Sequence, residues 1–216
     1  TNETIIIPLD ERYTVNENTR RYYKKYNKLK NALDIVQKQK EDTIYEIDYI
    51  ESIIYELENT SNIEEVNTIY EEISENVLFK RNVYVKKQKK KKSKVVNKNT
   101  SVLNPLLFNI ADFDVYVGRN NKENDLLTLK HSSPNDLWFH TKDIHGSHVI
   151  LKTNGNTNID DSVLIECAKL AVKHSKAKNS SNVPVDYTQV KFVKKPNGAK
   201  PGMVIYTHNK TLYVTP

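Results

Sequence analysis

The sequence predicts an α+β protein: a long antiparallel helical coiled-coil hairpin, then a mixed α+β domain. Three observations predict it. Apolar residues recur at alternating spacings of three and four through most of residues 15–58, which is helical heptad periodicity. A lysine-rich run, 86–99, then separates that half from the rest. From residue 113 onward, short alternating runs bounded by Gly, Asn and Pro replace the helical pattern, as strands and turns do. The expected segments are a hairpin over 1–79, a linker over 80–101 and a domain over 102–216.

Residues 3–9 (Glu-Thr-Ile-Ile-Ile-Pro-Leu) read as the tail of a preceding strand. The chain opens on Thr rather than Met, which fits a piece of a longer protein. Thr14-Val-Asn-Glu17 has capping-box spacing, a hydroxyl answered by a carboxylate three residues on. The helix it opens carries Tyr22, Tyr26, Leu29, Leu33, Val36, Ile47, Ile50, Ile54 and Leu57 on one seam, with Lys40 and Thr43 filling the gap. At 1.5 Å per residue it would run roughly 65 Å. Asn59-Thr-Ser-Asn62 breaks it, and Ser61-Asn-Ile-Glu64 reads as a second capping box. Ile63, Val66, Tyr70, Ile73 and Val77 form the second stripe. This second helix covers only the far half of the first, so Tyr22 to Val36 lack a partner here.

Charge is segregated along the chain. The net charge is +6, yet residues 1–79 hold 9 Lys/Arg against 17 Asp/Glu, residues 80–111 hold 10 against none, and residues 112–216 hold 14 against 10. Within the hairpin, residues 12–40 carry nine basic and two acidic side chains, and residues 41–79 carry twelve acidic and no basic ones. A basic root and an acidic tip fit either ordinary solvated faces or two partners, RNA phosphate at the root and a basic protein at the tip. Lys86, Lys87, Lys89, Lys90, Lys91, Lys92 and Lys94 fit a solvated tether, a nuclear localisation signal or an electrostatic dock on nucleic acid, where each neutralised phosphate releases counterions.

No run of about 18 apolar residues is present, so no transmembrane helix and no membrane partner are expected. No signal peptide is visible at the start. The single Cys167 has no internal disulfide partner, which fits a reducing compartment and a cytoplasmic location.

The C-terminal half begins with a strand over Phe113–Val117, and a short helix capped within Asn121–Asp125 runs through Leu129. Asp136 to Leu151 then holds the only Trp and three of the six His. Leu137, Phe139 and Thr141 alternate with Trp138, His140 and Lys142, a half-buried strand. His148–Leu151 reads as the next strand, with Gly146 supplying the positive φ of the turn. Asp160-Asp-Ser opens a helix with Val163, Leu164, Cys167, Leu170, Ala171 and His174 on one face. Tyr187–Val193 reads as a strand, and Val204–Thr207 and Thr211–Val214 as a hairpin across His208-Asn209-Lys210.

His140, Asp143, His145 and His148 are zinc-ligand types, but His140 and His148 meeting across a hairpin supply only two ligands, so no metal is expected. Asp143 and His148 instead hold the turn or contact RNA. Ser147 has no nucleophile-elbow context, Cys167 lies on an apolar helix face, and no P-loop or G-x-G-x-x-G is present. No enzyme and no cofactor are expected. Trp138 and His140 fit either core positions or stacking platforms for unpaired bases. Arg119, Asn120 and Asn121 offer several hydrogen bonds after a strand. Lys194, Lys195 and Lys200 surround the Pro196-Asn-Gly198 and Pro201-Gly202 turns. With Asp125, Lys142, Asp143, Ser147, His148 and Lys176, these make the candidate RNA-binding set.

Several ordered blocks resemble one known domain. Val117-Gly-Arg-Asn-Asn121, Asn124-Asp125, Asp136–Leu151, Val183-Pro-Val-Asp-Tyr187, Lys194–Tyr206 and Lys210–Pro216 resemble the NFACT-R domain of the NFACT family. Bacterial members of that family are also labelled fibronectin-binding protein A. The family pattern has Pro where this chain has His145. Leu9 through Leu57, with Tyr22-Tyr-Lys-Lys-Tyr-Asn-Lys-Leu-Lys30 and Tyr49-Ile-Glu-Ser52, resembles the family's coiled-coil segment.

The resemblance implies a ribosome quality control factor. Its partners would be the large ribosomal subunit, through ribosomal RNA and ribosomal proteins, and tRNA. In the full protein it would support alanyl-tRNA recruitment and C-terminal tailing of stalled chains. The competing classes are a fibronectin-binding surface adhesin and a nucleic-acid-processing enzyme using His140, Asp143 and His148.

Overall fold

The structure is a computed structural model that describes residues 5–60, 62–76 and 103–216. The lysine run from Lys86 to Lys94, Ser61 and Val77 lie outside the described residues. The chain forms two compact units, Thr1–Asp48 and Tyr49–Pro216.

The first helix, α1, spans Val15–Asn59. The capping box forms at its start: the Thr14 N–H donates to Glu17 Oε2 at 2.8 Å, and the Glu17 N–H donates to Thr14 Oγ1 at 3.3 Å. The Thr14 N–H and then the Thr14 hydroxyl, both donating to the carboxylate, hold Glu17 below its ordinary pKa. Asn18 locks the lead-in, accepting from the Asp10 N–H and donating to the Asp10 and Tyr13 carbonyls at 3.0–3.1 Å. Ile5 to Leu9 join no strand among the described residues and are exposed. Within the first unit Tyr22, Tyr26, Leu29, Leu33 and Val36 are all exposed, the bare stripe expected from the sequence.

The second unit opens with the end of α1 and with α2, Ile63–Asn76. Asn62 caps α2, its Oδ1 accepting from the Glu65 N–H at 2.9 Å. The two helices form a small core of Tyr49, Ile53 and Ile69 with Ile73 beside it. This corrects the register expected from the heptads. Ile50, Ile54 and Leu57, and Ile63, Val66 and Tyr70 on α2, are exposed. The buried face of α1 instead runs Tyr49, Ile53, Glu56, and that of α2 Ile69, Glu72. It is partly polar because the C-terminal elements pack against it.

Those elements build a six-stranded antiparallel sheet. Its strands are β1 (Leu106–Ile110), β2 (Phe113–Val117), β3 (Leu137–Thr141), β4 (Val149–Leu151), β5 (Val183–Gln189) and β8 (Lys210–Val214), in the order β1-β2-β4-β3-β5-β8. β6 (Val193–Lys194) and β7 (Ile205–Tyr206) pair separately. The hairpin expected between 204–207 and 211–214 is therefore replaced: β7 joins β6, and β8 joins β5 at the sheet edge.

Two helices flank the strands, α3 (Asn121–Leu129) and α4 (Asp161–Lys173). One sheet face packs on α4 through Val115, Val117, Phe139, Val149, Leu151 and Val185 against Val163, Cys167, Ala168, Ala171 and Val172. The other buries Trp138 and Ile150 with Leu127, Val190 and Val193. Between β3 and β4 the left-handed residue is Asp143, at φ 54°, rather than Gly146. Gly146 answers a different need. A Cβ there would lie 2.7 Å from Ser175 Cβ, where the two residues form an antiparallel bridge. No helix among the described residues is long and apolar enough to cross a membrane.

Candidate nucleic-acid interface

Trp138 is the residue most changed by its surroundings. It is 1% exposed, so the stacking platform expected as one alternative for it is not at the surface. Its ring packs on His140 (5.7 Å, stacked), His148 (5.2 Å, edge-on) and Tyr206 (4.8 Å, tilted). Strand alternation explains this: Trp138 projects from β3 onto the face that α3 and the β6–β7 pair cover. His148 is also buried. Its Nδ1 shares a 2.8 Å hydrogen bond with Thr128 Oγ1, and its N–H donates to Asn124 Oδ1 at 3.0 Å. Burial lowers the His140 pKa to about 4 and that of His148 well below its ordinary value. Both imidazoles are neutral at pH 7, so neither pairs with phosphate as a cation. Ser147 is buried, its N–H bonded to the His174 carbonyl. No group of three or more His, Cys, Asp and Glu suited to a metal occurs among the described residues.

A second set of expected RNA contacts is engaged by the acidic end of the helical hairpin, within the second unit. Arg119 Nη1 lies 3.2 Å from Glu65 Oε1 and Lys176 Nζ 3.4 Å from Glu51, and Lys122, which the sequence does not single out, lies 2.8 Å from Glu75. His145 Nε2 lies 3.2 Å from the same Glu51. Lys200 Nζ donates to the Asn76 carbonyl at 2.8 Å. The Asn121 N–H donates to Glu56, and its Nδ2 to Ser52 Oγ at 3.0 Å. Asn120 caps α3, accepting from the Glu123 N–H at 2.9 Å. Lys195 pairs with Asp125, which also accepts from the Gly202 N–H at 3.1 Å. The acidic tip therefore meets the chain's own C-terminal domain. Among the expected cations, Lys142 and Lys194 remain exposed, and no ion pair holds either one among the described residues. Asp143 is exposed as well.

At the centre of that contact lie two buried carboxylates, Glu56 and Glu72. Tyr49 donates from its hydroxyl to Glu72 Oε1 at 3.0 Å, while Oε2 of each glutamate has no hydrogen-bond partner. Burial first, and then repulsion from Glu72, pushes the Glu56 pKa well above the ordinary carboxylate range, and burial raises that of Glu72. Two like charges cannot share a dry site, so this pair favours holding a proton. Heptad periodicity does not single out either residue, because a glutamate on a helical rod reads as solvated.

Comparison with known proteins agrees with this architecture. Residues 1–94 match the family model for NFACT N-terminal and middle domains, and residues 106–208 match that for the NFACT protein RNA binding domain. The chain is 39% identical over 216 residues to the Rqc2 homolog RqcH of Bacillus subtilis (strain 168), covering 99% of this chain and 35% of that protein. It is 41% identical to that of Streptococcus pneumoniae serotype 2, covering 100% and 37%. The chain thus spans about a third of the length of these relatives. A solved structure of the C-terminal part of the fibronectin/fibrinogen-binding protein from Streptococcus suis superimposes with a TM-score of 0.75 at 38% identity, covering 93% of this chain and 76% of that one.

Proposed function

The chain belongs to the NFACT family, and from that membership we propose that it is the RNA- and ribosome-docking portion of a ribosome quality control factor. In this reading it seats on the large ribosomal subunit and tRNA in the cytoplasm, performs no chemistry of its own, and in the full-length protein supports alanyl-tRNA recruitment and tailing of stalled nascent chains. The observation that carries it is the match of residues 106–208 to an RNA binding domain, in a chain that aligns from end to end with Rqc2 homologues.

The ion pairs narrow which groups would do the docking. Of the cations expected as RNA contacts, Arg119, Lys176 and Lys195 are paired with Glu65, Glu51 and Asp125, and Lys200 is bonded to the Asn76 carbonyl. Phosphate contact then falls to exposed lysines such as Lys142 and Lys194 and to the lysine run at 86–94. Binding of the chain to a ribosomal RNA fragment should therefore weaken with salt, with a log–log slope of several units, because each phosphate contact contributes about 0.7–0.9. Deleting residues 86–98 should flatten that slope; an unchanged slope would remove the lysine run from the account.

The likeness to the fibronectin/fibrinogen-binding protein of Streptococcus suis favours a second reading, binding to fibronectin. Saturable capture of the chain by immobilised fibronectin that survives 0.5 M salt would support it.

A further inference from the structure

We infer that the stacked pair of Phe192 and His208, flanked by Lys191 and Lys194, is a site where a single-stranded RNA base stacks. The inference rests on the RNA-docking reading above and names its contact surface. With Trp138 in the core, the sheet needs another aromatic group if unpaired bases are to find a platform.

The local chain builds one. Phe192 and His208 stack with ring centroids 4.3 Å apart and planes 24° apart. Phe192 is half-buried and anchors the pair, while His208 stands exposed. The loop is tied to the sheet on both sides. The Thr207 N–H donates to the Phe192 carbonyl at 3.2 Å, and Thr188 Oγ1 donates to the Thr207 carbonyl at 2.9 Å. A 3.0 Å hydrogen bond between His208 Nδ1 and Thr207 Oγ1 fixes the ring's orientation. His208 occupies the left-handed region at φ 56°, a conformation glycine takes without penalty. An imidazole held there against that preference points to a use for the ring.

The segment itself is cationic, while the buried Asp186 is taken up by hydrogen bonds from Tyr206 and Thr211. Val190 to Pro216 contains five lysines and no Asp or Glu. Lys195 and Lys200 are engaged elsewhere. Lys191 Nζ lies 5.1 Å from the Phe192 ring centroid. Lys194 is exposed on the outer side of β6, in register with the exposed Ile205. An exposed aromatic ring beside lysines that can reach phosphate is the chemistry that holds single strands, since every base offers a π-face and each phosphate a charge. A duplex hides those faces, so the surface selects unpaired RNA.

The test is fluorescence anisotropy of the whole chain with a labelled oligouridine 12-mer in 0.2 M KCl, beside a duplex RNA of equal length. His208→Gly relieves the backbone strain, so the melting temperature should hold or rise while affinity for the single strand falls about tenfold. His208→Tyr should recover most of the loss, and duplex binding should not change. Lys191→Ala with Lys194→Ala should weaken binding and lower the log–log salt slope by about 0.7 per lysine. Wild-type affinity in a folded H208G chain would overturn the stacking site and leave the RNA-docking reading standing. Failure of the unmodified chain to bind either RNA would overturn both.

Discussion

Trp138→Ala should destabilise the C-terminal unit by about 3–5 kcal/mol, the cost of emptying a large buried ring. The ring is fully enclosed, in contact with His140, His148 and Tyr206 and sharing a cluster with Leu127, Ile150, Val190 and Val193. Domains are stable by only about 5–15 kcal/mol, so the variant should melt far below the parent by calorimetry. Trp138→Phe separates packing from contact. The indole Nε1 is buried without a hydrogen-bond partner, so removing it leaves no group newly unsatisfied. The Phe variant should fold, with a smaller loss of stability and unchanged RNA affinity. A Trp138→Ala chain that keeps its stability but loses RNA binding would return the ring to the interface.

The second large effect is a pH dependence set at the contact between the hairpin and the domain. The pKa values of Glu56 and Glu72 are both raised in the folded chain, by burial first and, for Glu56, by the other's charge. Groups around them include Tyr49, Tyr55, Arg119, Asn121, Lys122 and Asp125, with Lys200 over the Tyr49 ring. A raised folded pKa means that stability is fully present below the ordinary carboxylate value and is lost as pH rises through the folded value. Each such proton contributes a slope of up to about 1.4 kcal/mol per pH unit. Urea unfolding followed by Trp138 fluorescence, which reports on this unit, should show stability falling as pH rises above the ordinary carboxylate range. Glu56→Gln removes one titrating charge and relieves Glu72, so its stability curve should be flatter and lie above the parent at pH 9. Parallel curves would mean that Glu56 holds no proton in the folded chain.

Local signals are readable from the sequence where one residue answers a near neighbour. The Thr14–Glu17 cap, the β3–β4 pairing and the apolar face of α4 depend on contacts a few residues apart or on simple alternation. Legibility fails where a distant partner decides. On α1 the heptads favour Ile50, Ile54 and Leu57, yet Tyr49, Ile53 and Glu56 are buried, because Asn121, far along the chain, supplies hydrogen bonds to a carboxylate. β1 escapes a sequence reading because it follows the linker directly, and β7 and β8 only look like a hairpin because each strand pairs with an earlier partner. The candidate site shows the same division. The positive character of residues 194–200 is visible in the sequence, but their pairing with Asp125 and Asn76 is not. Phe192 and His208 come together only when β6 meets β7.

The most direct test of the RNA- and ribosome-docking account is co-sedimentation of the chain with isolated 50S and 30S subunits at moderate salt, with and without peptidyl-tRNA on the 50S. Selective pelleting with the 50S is the expected result. Equal pelleting with both subunits would reduce the interaction to lysine electrostatics, and no pelleting with either would contradict ribosome docking by this part of the protein.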